Sequence, residues 1–413
     1  MKRILSMFAA AAVLLFCLPA CDTSASKNNP EDWDKYYPGG ENPDDPDTPD
    51  NPDNPGDNDD PDYPDRKELV GATDMVLIYG GSSHRSPEDW PESYMQDYVR
   101  YTDKNGSDHW FFDGFLLLEF MMTQYNKTLI TGYQHNGQYL HSATKDVWEA
   151  LVDYYFKPGA GVNVLENAIA TCAKSMGNPP SKRKVFIGIP EPIQYEDSHN
   201  QTGGSTYWGS LDGREMNFSL SADRVKAVEW YIDRIREKFR AGNYKYVELA
   251  GFYWVAEKST NTSNIIKNVS DYLHSNMYAF SWIPYYTADG YDRWKTYGFD
   301  FAYLQPNYFF NDSVPFNRLA DAIDDASNAD MGMEVEFDGN ALANATYKRA
   351  QRLRDYLSEF KRYGVWEKRR LAYYQGAWAV RWLKTSSNAQ DQALYHEFGE
   401  WVTSRPLREE NQK

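Results

Sequence analysis

Cysteine is nearly absent: three in 413 residues, at positions 17, 21 and 172. Cys17 and Cys21 fall in an apolar N-terminal segment, so the single thiol left beyond it cannot form an internal disulfide. Cys172 sits at helical spacing with Leu165, Ile169 and Met176. That apolar stripe predicts a small buried hydrophobe rather than a nucleophile. Histidine is scarce and scattered, seven in all with no His-x-His pair on the first predicted strand. This disfavours a metal-dependent hydrolase, and neither a metal nor another cofactor is expected. Basic charge is the minority sign, 43 Lys and Arg against 60 Asp and Glu, with no basic stripe for nucleic acid. The one long apolar run, around Phe8–Leu15, is too short to span a bilayer as a permanent helix.

That run has a different meaning. Lys2 and Arg3 precede it and Leu18-Pro19-Ala20-Cys21 follows it, giving the three parts of an export signal. Leu-x-Ala-Cys resembles the lipobox cut by lipoprotein signal peptidase, which implies a signal over residues 1–21 and lipid attachment at Cys21. The expected location is an exported, membrane-anchored lipoprotein at the outer membrane or cell surface.

Residues 22–67 read as a disordered tether. The stretch Asn42–Asp65 repeats Pro-Asp pairs with almost no apolar residues, so it cannot bury enough surface to fold. Proline and like-charge repulsion keep such a chain open, with a reach of at most about 140 Å. This segment also accounts for most of the acidity. Of the net charge of −17, residues 22–66 carry −12 and the signal +2, leaving −7 beyond them.

From residue 68 to 413 the pattern changes to apolar runs alternating with amphipathic helices. Eight runs have strand character: 75–79, 110–117, 185–189, 246–255, 278–283, 301–304, 332–337 and 371–374. Between them fall helical stripes, the clearest over 222–240, others at 145–156, 264–274, 317–327, 347–363 and 390–402. Eight β-then-α units with near-continuous apolar strands predict a single (β/α)₈ TIM barrel, a monomer. The rival is an open doubly wound sheet, which usually carries a glycine-rich turn and helix after its first strand. Here Gly80-Gly81-Ser82-Ser83 runs on into His-Arg-Ser-Pro instead.

Barrel active sites lie at the C-terminal ends of the strands. The seventh run, Met333-Glu334-Val335-Glu336-Phe337-Asp338, alternates so that Glu334, Glu336 and Asp338 share one face. Placing carboxylates inside a barrel is costly unless they are partnered or functional. Glu336, one step from the strand end, is the first catalytic candidate. Glu257, just past the aromatic fourth run, is the second. Alternation groups it with Tyr253 and Val255 opposite Trp254, without saying which face points inward. Two carboxyl groups across one barrel mouth suit glycosidic cleavage, one protonated to donate and one ionised to attack or to activate water.

The aromatic content of 16% exceeds what a core needs and suggests a lined groove. Candidate substrate-binding residues at strand ends are Asp113, Trp254, Trp282, Gln305, Asn307, Glu334, Gln375 and Trp378. The long loop 193–220 adds Trp208 and Asp212.

The runs Leu77-Ile78-Tyr79-Gly80-Gly81, Phe112-Asp113-Gly114-Phe115, Tyr207-Trp208-Gly209-Ser210-Leu211-Asp212-Gly213 and Gly251-Phe252-Tyr253-Trp254 together resemble the family DUF4855. These are mainly bacterial exported proteins similar to glycoside hydrolase barrels, and the resemblance covers about residues 70–400. Likeness to retaining glycoside hydrolase barrels implies an acid/base glutamate after strand four, here Glu257, and a nucleophile after strand seven, here Glu336. The usual Asn-Glu pair is missing, since Ala256 precedes Glu257. The expectation is a retaining glycoside hydrolase acting on a polysaccharide or host glycan. The alternative is a non-catalytic glycan-binding lipoprotein on an inactive barrel.

Overall fold

A β-branched and aromatic run bounded by polar turns, repeated eight times with a helix between, leaves each strand apolar on both faces. Such strands are stable only with helices outside and other strands' side chains inside. The computed structural model describes residues 69–80, 90–119, 121–124, 127–130, 140–193 and 206–411. Cys21, the signal and the tether lie outside the described residues.

Eight parallel strands close a barrel: β1 (Asp74–Tyr79), β2 (Gly114–Leu118), β3 (Arg183–Ile189), β4 (Val247–Trp254), β5 (Ala279–Trp282), β6 (Phe301–Leu304), β7 (Gly332–Glu336) and β8 (Leu371–Tyr374). Neighbours in the ring are neighbours in sequence, and β8 pairs β1. The rival open sheet is thereby excluded. The predicted helices appear close to their expected places, among them Lys145–Phe156, Ser221–Gly242, Arg318–Asn328, Ala350–Arg362 and Ala389–Thr403. None of the described helices is long and apolar enough to cross a membrane.

Two apolar layers follow from the pleat. Met75, Leu77, Leu116, Phe186, Tyr253, Val255, Ala279, Tyr303 and Ala372 fill the interior. Val76, Phe115, Val185, Phe252, Trp254, Trp282, Val335 and Tyr373 pack outward under the helices. Cys172 is buried in that outer layer, as its helical spacing requires.

One irregularity decides which β4 side chains face inward. Opposite β3, Leu249 pairs Val185 and Gly251 pairs Phe186, so β4 carries one extra residue there. Ahead of the bulge Leu249 faces the helices and Ala250 faces the interior; after it Phe252 and Trp254 face the helices and Tyr253 and Val255 the interior. A one-residue bulge inverts the pleat for everything downstream. Glycine is required at the bulge, because a Cβ on Gly251 would lie 2.1 Å from the Ala279 carbonyl oxygen.

The second predicted strand, 110–117, is two elements. Asp108–Trp110 pairs antiparallel with Arg100–Thr102, and only from Gly114 does the chain join the barrel. Asp113 therefore precedes β2 rather than ending it.

Candidate active site

β7 presents its glutamates as its alternation dictates. Met333, Val335 and Phe337 are in the outer layer, and Glu334 and Glu336 alternate with them toward the interior. Both are buried, Glu336 with 1% of its surface exposed. Glu336 Oε2 accepts two hydrogen bonds, from the Asn307 backbone N–H at 2.6 Å and the Tyr356 hydroxyl at 2.6 Å. Asn307 can offer its amide there because it adopts a left-handed conformation, φ 52°, which asparagine tolerates. The Tyr356 oxygen in turn accepts the Tyr308 N–H at 3.2 Å.

These contacts work against one another in the titration of Glu336. Burial pushes its carboxyl up to about 7. The hydrogen bonds from Tyr356 and Asn307 favour the charged form and limit the rise, while the negative charge of Glu257 adds to it. β4 and β7 stand three strands apart around the ring. After the bulge Tyr253 and Val255 face inward, and Glu257, in the bend that follows, is half-buried. The face left open by sequence is the inner one.

Neighbouring side chains hold this pair in place. Trp282 donates from Nε1 to the Ala256 carbonyl at 2.7 Å, pinning the residue before Glu257. Gln305 donates to the Ile283 carbonyl at 2.8 Å, closing the mouth between β5 and β6. Tyr374, paired in register with Glu336, meets the ring edges of Tyr79 and Phe310 at 5.8 and 5.5 Å. Among the described residues no group of three or more His, Cys, Asp or Glu is arranged to hold a metal ion.

Several predicted substrate contacts lie elsewhere. Asp113 is at the N-terminal end of the barrel, where its carboxylate accepts the Thr73 and Asp74 amides at 2.9 and 2.7 Å. Trp254 and Trp282 point outward into the helix layer, Trp254 because of the bulge. Trp208 is buried against Trp148, Phe218 and Trp230 on the outside of the barrel. Asp212 is exposed at the tip of the hairpin joining Tyr207–Leu211 to Arg214–Asn217. With φ of 51° and 80°, Asp212-Gly213 makes the left-handed pair that a two-residue hairpin turn needs. Gln375 is fully committed: it donates to Leu77 and Ala377 carbonyls and accepts from Tyr98 and the Ala379 N–H. Trp378 is buried among Trp90, Tyr94 and Trp382. Residues 194–205 of the loop 193–220 lie outside the described residues.

Tyr356 was not anticipated. It belongs to the stripe Leu353, Tyr356, Leu357 and Phe360, which reads as ordinary core, and nothing in the sequence marks its hydroxyl as aimed at β7.

The fold is a (β/α)₈ barrel with a buried glutamate, Glu336, at the C-terminal end of its seventh strand. Residues 74–400 match the model of the family described as "Domain of unknown function (DUF4855)", and the chain belongs to that family. A search of curated protein sequences finds no significant match. Among solved structures, the chain is similar to a Bacteroides thetaiotaomicron VPI-5482 protein proposed to be an α-L-fucosidase. That likeness has 13% identity and TM-score 0.42, covering 81% of this chain and 97% of the other. It is also similar to a GH113 β-1,4-mannanase, with 10% identity, TM-score 0.40, and coverage of 82% and 100%. A third is a tryptophan synthase α-subunit from Pyrococcus furiosus, with 8% identity, TM-score 0.33, and coverage of 80% and 97%. Likeness this remote adds nothing to what the strand pairing already shows, so the functional argument rests on this chain's own residues.

Proposed function

We propose that this protein is a glycoside hydrolase acting on a polysaccharide or host glycan, with Glu257 as general acid/base and Glu336 as nucleophile. The observation that carries the reading is Glu336, buried on β7 at the C-terminal mouth with hydrogen bonds to its carboxylate but, among the described residues, no cation against it. A structural carboxylate at that depth would be matched to a cation. Glu336 is instead held by a phenol and a peptide N–H, which orient it without neutralising it.

Burial and the charge of Glu257 raise the Glu336 carboxyl, so it must lose its proton before it can attack. In the proposed cycle Glu257 carries the proton that is delivered to the leaving oxygen. Glu336, ionised and steadied by Tyr356 and Asn307, attacks the anomeric carbon to give a glycosyl ester. Glu257 then takes a proton from the water that cleaves this ester, and retention follows. Below about pH 7 Glu336 takes up its proton, and kcat/KM should fall.

The deciding experiment is release of reducing ends from a panel of plant, algal and mucin glycans, with Glu336→Gln as control. Loss of activity in the variant by a factor of about 10³ or more supports the proposal. Glycan binding with no hydrolysis by the wild type would replace it with the lectin-like alternative. Retention is checked by NMR of the first anomer released, an inverted product overturning that part.

Anchoring through a lipid on Cys21, with display at the outer membrane, belongs to the same proposal. Cys21→Ser should release the protein from membranes and abolish labelling by a fatty-acid analogue; unchanged membrane retention would refute the anchor.

A further inference from the structure

Large aromatic side chains left in water are few here, and they are not evenly spread. Five of the described large hydrophobics are exposed, between 38% and 49%: Tyr207, Phe316, Tyr347, Tyr363 and Trp382. Scattered singly over a surface, such residues would need no explanation. Four of the five, however, lie in connections that leave the C-terminal ends of strands, the end that carries Glu257 and Glu336. Only Tyr363, just after helix Ala350–Arg362, lies toward the other end. Three of the four follow β6, β7 and β8, consecutive strands on the Glu336 side of the ring.

These three are held in place rather than loosely displayed. Phe316 meets the ring of Tyr308, at 6.4 Å and near-perpendicular. The loops after β6 and β7 are clamped together by two arginines. Arg352 donates to the carbonyls of Tyr308, Asn311 and Val314, and Arg349 bonds Asp312 at 2.9 Å while stacking on Tyr347 at 4.3 Å. Trp382 packs on Trp378 and covers Gly339, three residues past Glu336; a Cβ there would lie 2.8 Å from the indole. Rigid aromatic faces bind at low entropic cost.

We infer that Phe316, Tyr347 and Trp382 form a stacking ridge for a neutral glycan chain, with Trp382 beside the reacting bond. The inference rests on the proposed glycosidase reading and extends it: the substrate is a chain longer than the sugar at the two glutamates. The chemistry favours sugar over a protein partner. A protein interface centres on a contiguous apolar patch. Here the exposed aromatic faces share their loops with the polar side chains of Asn311, Asp312 and Asn340, which suits rings with an apolar face and a hydroxyl rim.

The test uses the Glu336→Gln protein in native gels cast with galactomannan, xyloglucan, mixed-linkage glucan or laminarin. At least one polymer should retard it, and adding Phe316→Ala, Tyr347→Ala and Trp382→Ala should weaken that affinity at least tenfold. Tyr363→Ala is the control and should change nothing; near-UV circular dichroism and Tm verify that every variant is folded. Unchanged retardation in the triple variant overturns the ridge, as does equal loss in the control or no retardation by any polymer. Reducing-end release by the wild type is read separately. Hydrolysis with a dispensable ridge sinks this inference alone, and ridge-dependent retardation without hydrolysis sinks the catalytic reading alone.

Discussion

The two ends of this barrel both bury carboxylates, and they treat them in opposite ways. At the N-terminal end Asp74 is fully buried, ion-paired with Arg405 and with Arg408 at 3.2 Å, and it accepts the Tyr373 hydroxyl. Beside it Arg183 pairs with Glu410 at 3.1 Å. A cleft of about 550 Å³ opens at this end, lined by His109, Trp110, Arg408 and Glu410 among others, but its guanidinium is already committed to Asp74 and Glu410. At the C-terminal end Glu336 is equally buried but is met by a phenol, a peptide N–H and a second glutamate's field. Compensated charge fixes structure. Charge held at a cost, with its proton poised near neutrality, is what acid–base chemistry requires.

The sharpest way to break that contrast is Glu336→Gln. Activity should fall by about 10³-fold or more, while stability should rise at alkaline pH. The folded-state pKa lies above the unfolded value of 4.5, so folding is penalised once the unfolded chain ionises. The penalty is absent below about pH 4.5, grows as pH rises, and is complete above about 7. It amounts to at most about 3 kcal/mol. Glutamine removes it, so urea unfolding at pH 8 should show a stabilised variant, and at pH 4 a difference near zero. A variant destabilised at pH 8 would mean that Glu336 is structural.

The converse change at the other end is Asp74→Asn. It leaves the buried guanidinium of Arg405 without a carboxylate and weakens the pairing of Arg408, and should cost about 3–5 kcal/mol by urea titration. Activity per folded molecule should be unaffected; a drop in kcat would show that the two ends are not separable.

Trp282→Phe keeps the ring but loses the bond to the Ala256 carbonyl, worth about 1 kcal/mol. Because that bond pins the approach to Glu257, kcat should fall about tenfold with KM little changed, assayed on whichever polymer the panel identifies. The smallest expected effect is from Tyr356→Phe. Removing a bond that favours the ionised form raises the Glu336 pKa further, so the acidic limb of the kcat/KM profile should move to higher pH. A limb that stays in place would exclude Glu336 as the group being titrated.

Much of this was legible from sequence where local pattern and final environment agree. The strand at 301–304, the strand at 371–374 and the helix at 145–156 appear at their predicted bounds. Each is a run whose apolar spacing fits one kind of element. Glu336 was legible for the same reason: a regular five-residue strand in a closed ring leaves its alternate residues nowhere but inside. The tryptophans were not. Trp208, Trp254 and Trp282 were expected at the substrate because an aromatic near a strand end suits a sugar, but burying an indole under a helix layer is equally favourable. Sequence proximity to a strand end does not distinguish the two faces. Asp113 misled because an apolar stretch hid the break between a hairpin and β2.

What the sequence determined by itself is the eightfold alternation of strand and helix and the inward alternation of Glu334 and Glu336. Both are periodicities, and periodicity is a local property. What only the tertiary structure decided is the partner of Glu336. An extra residue at Ala250-Gly251, visible only in the pairing with β3, inverts the pleat of β4. It sends Trp254 outward and turns Tyr253 and Val255 inward, just ahead of Glu257. A pleat has a period of two, so a single inserted residue exchanges its faces, and only the neighbouring strand records where that happens.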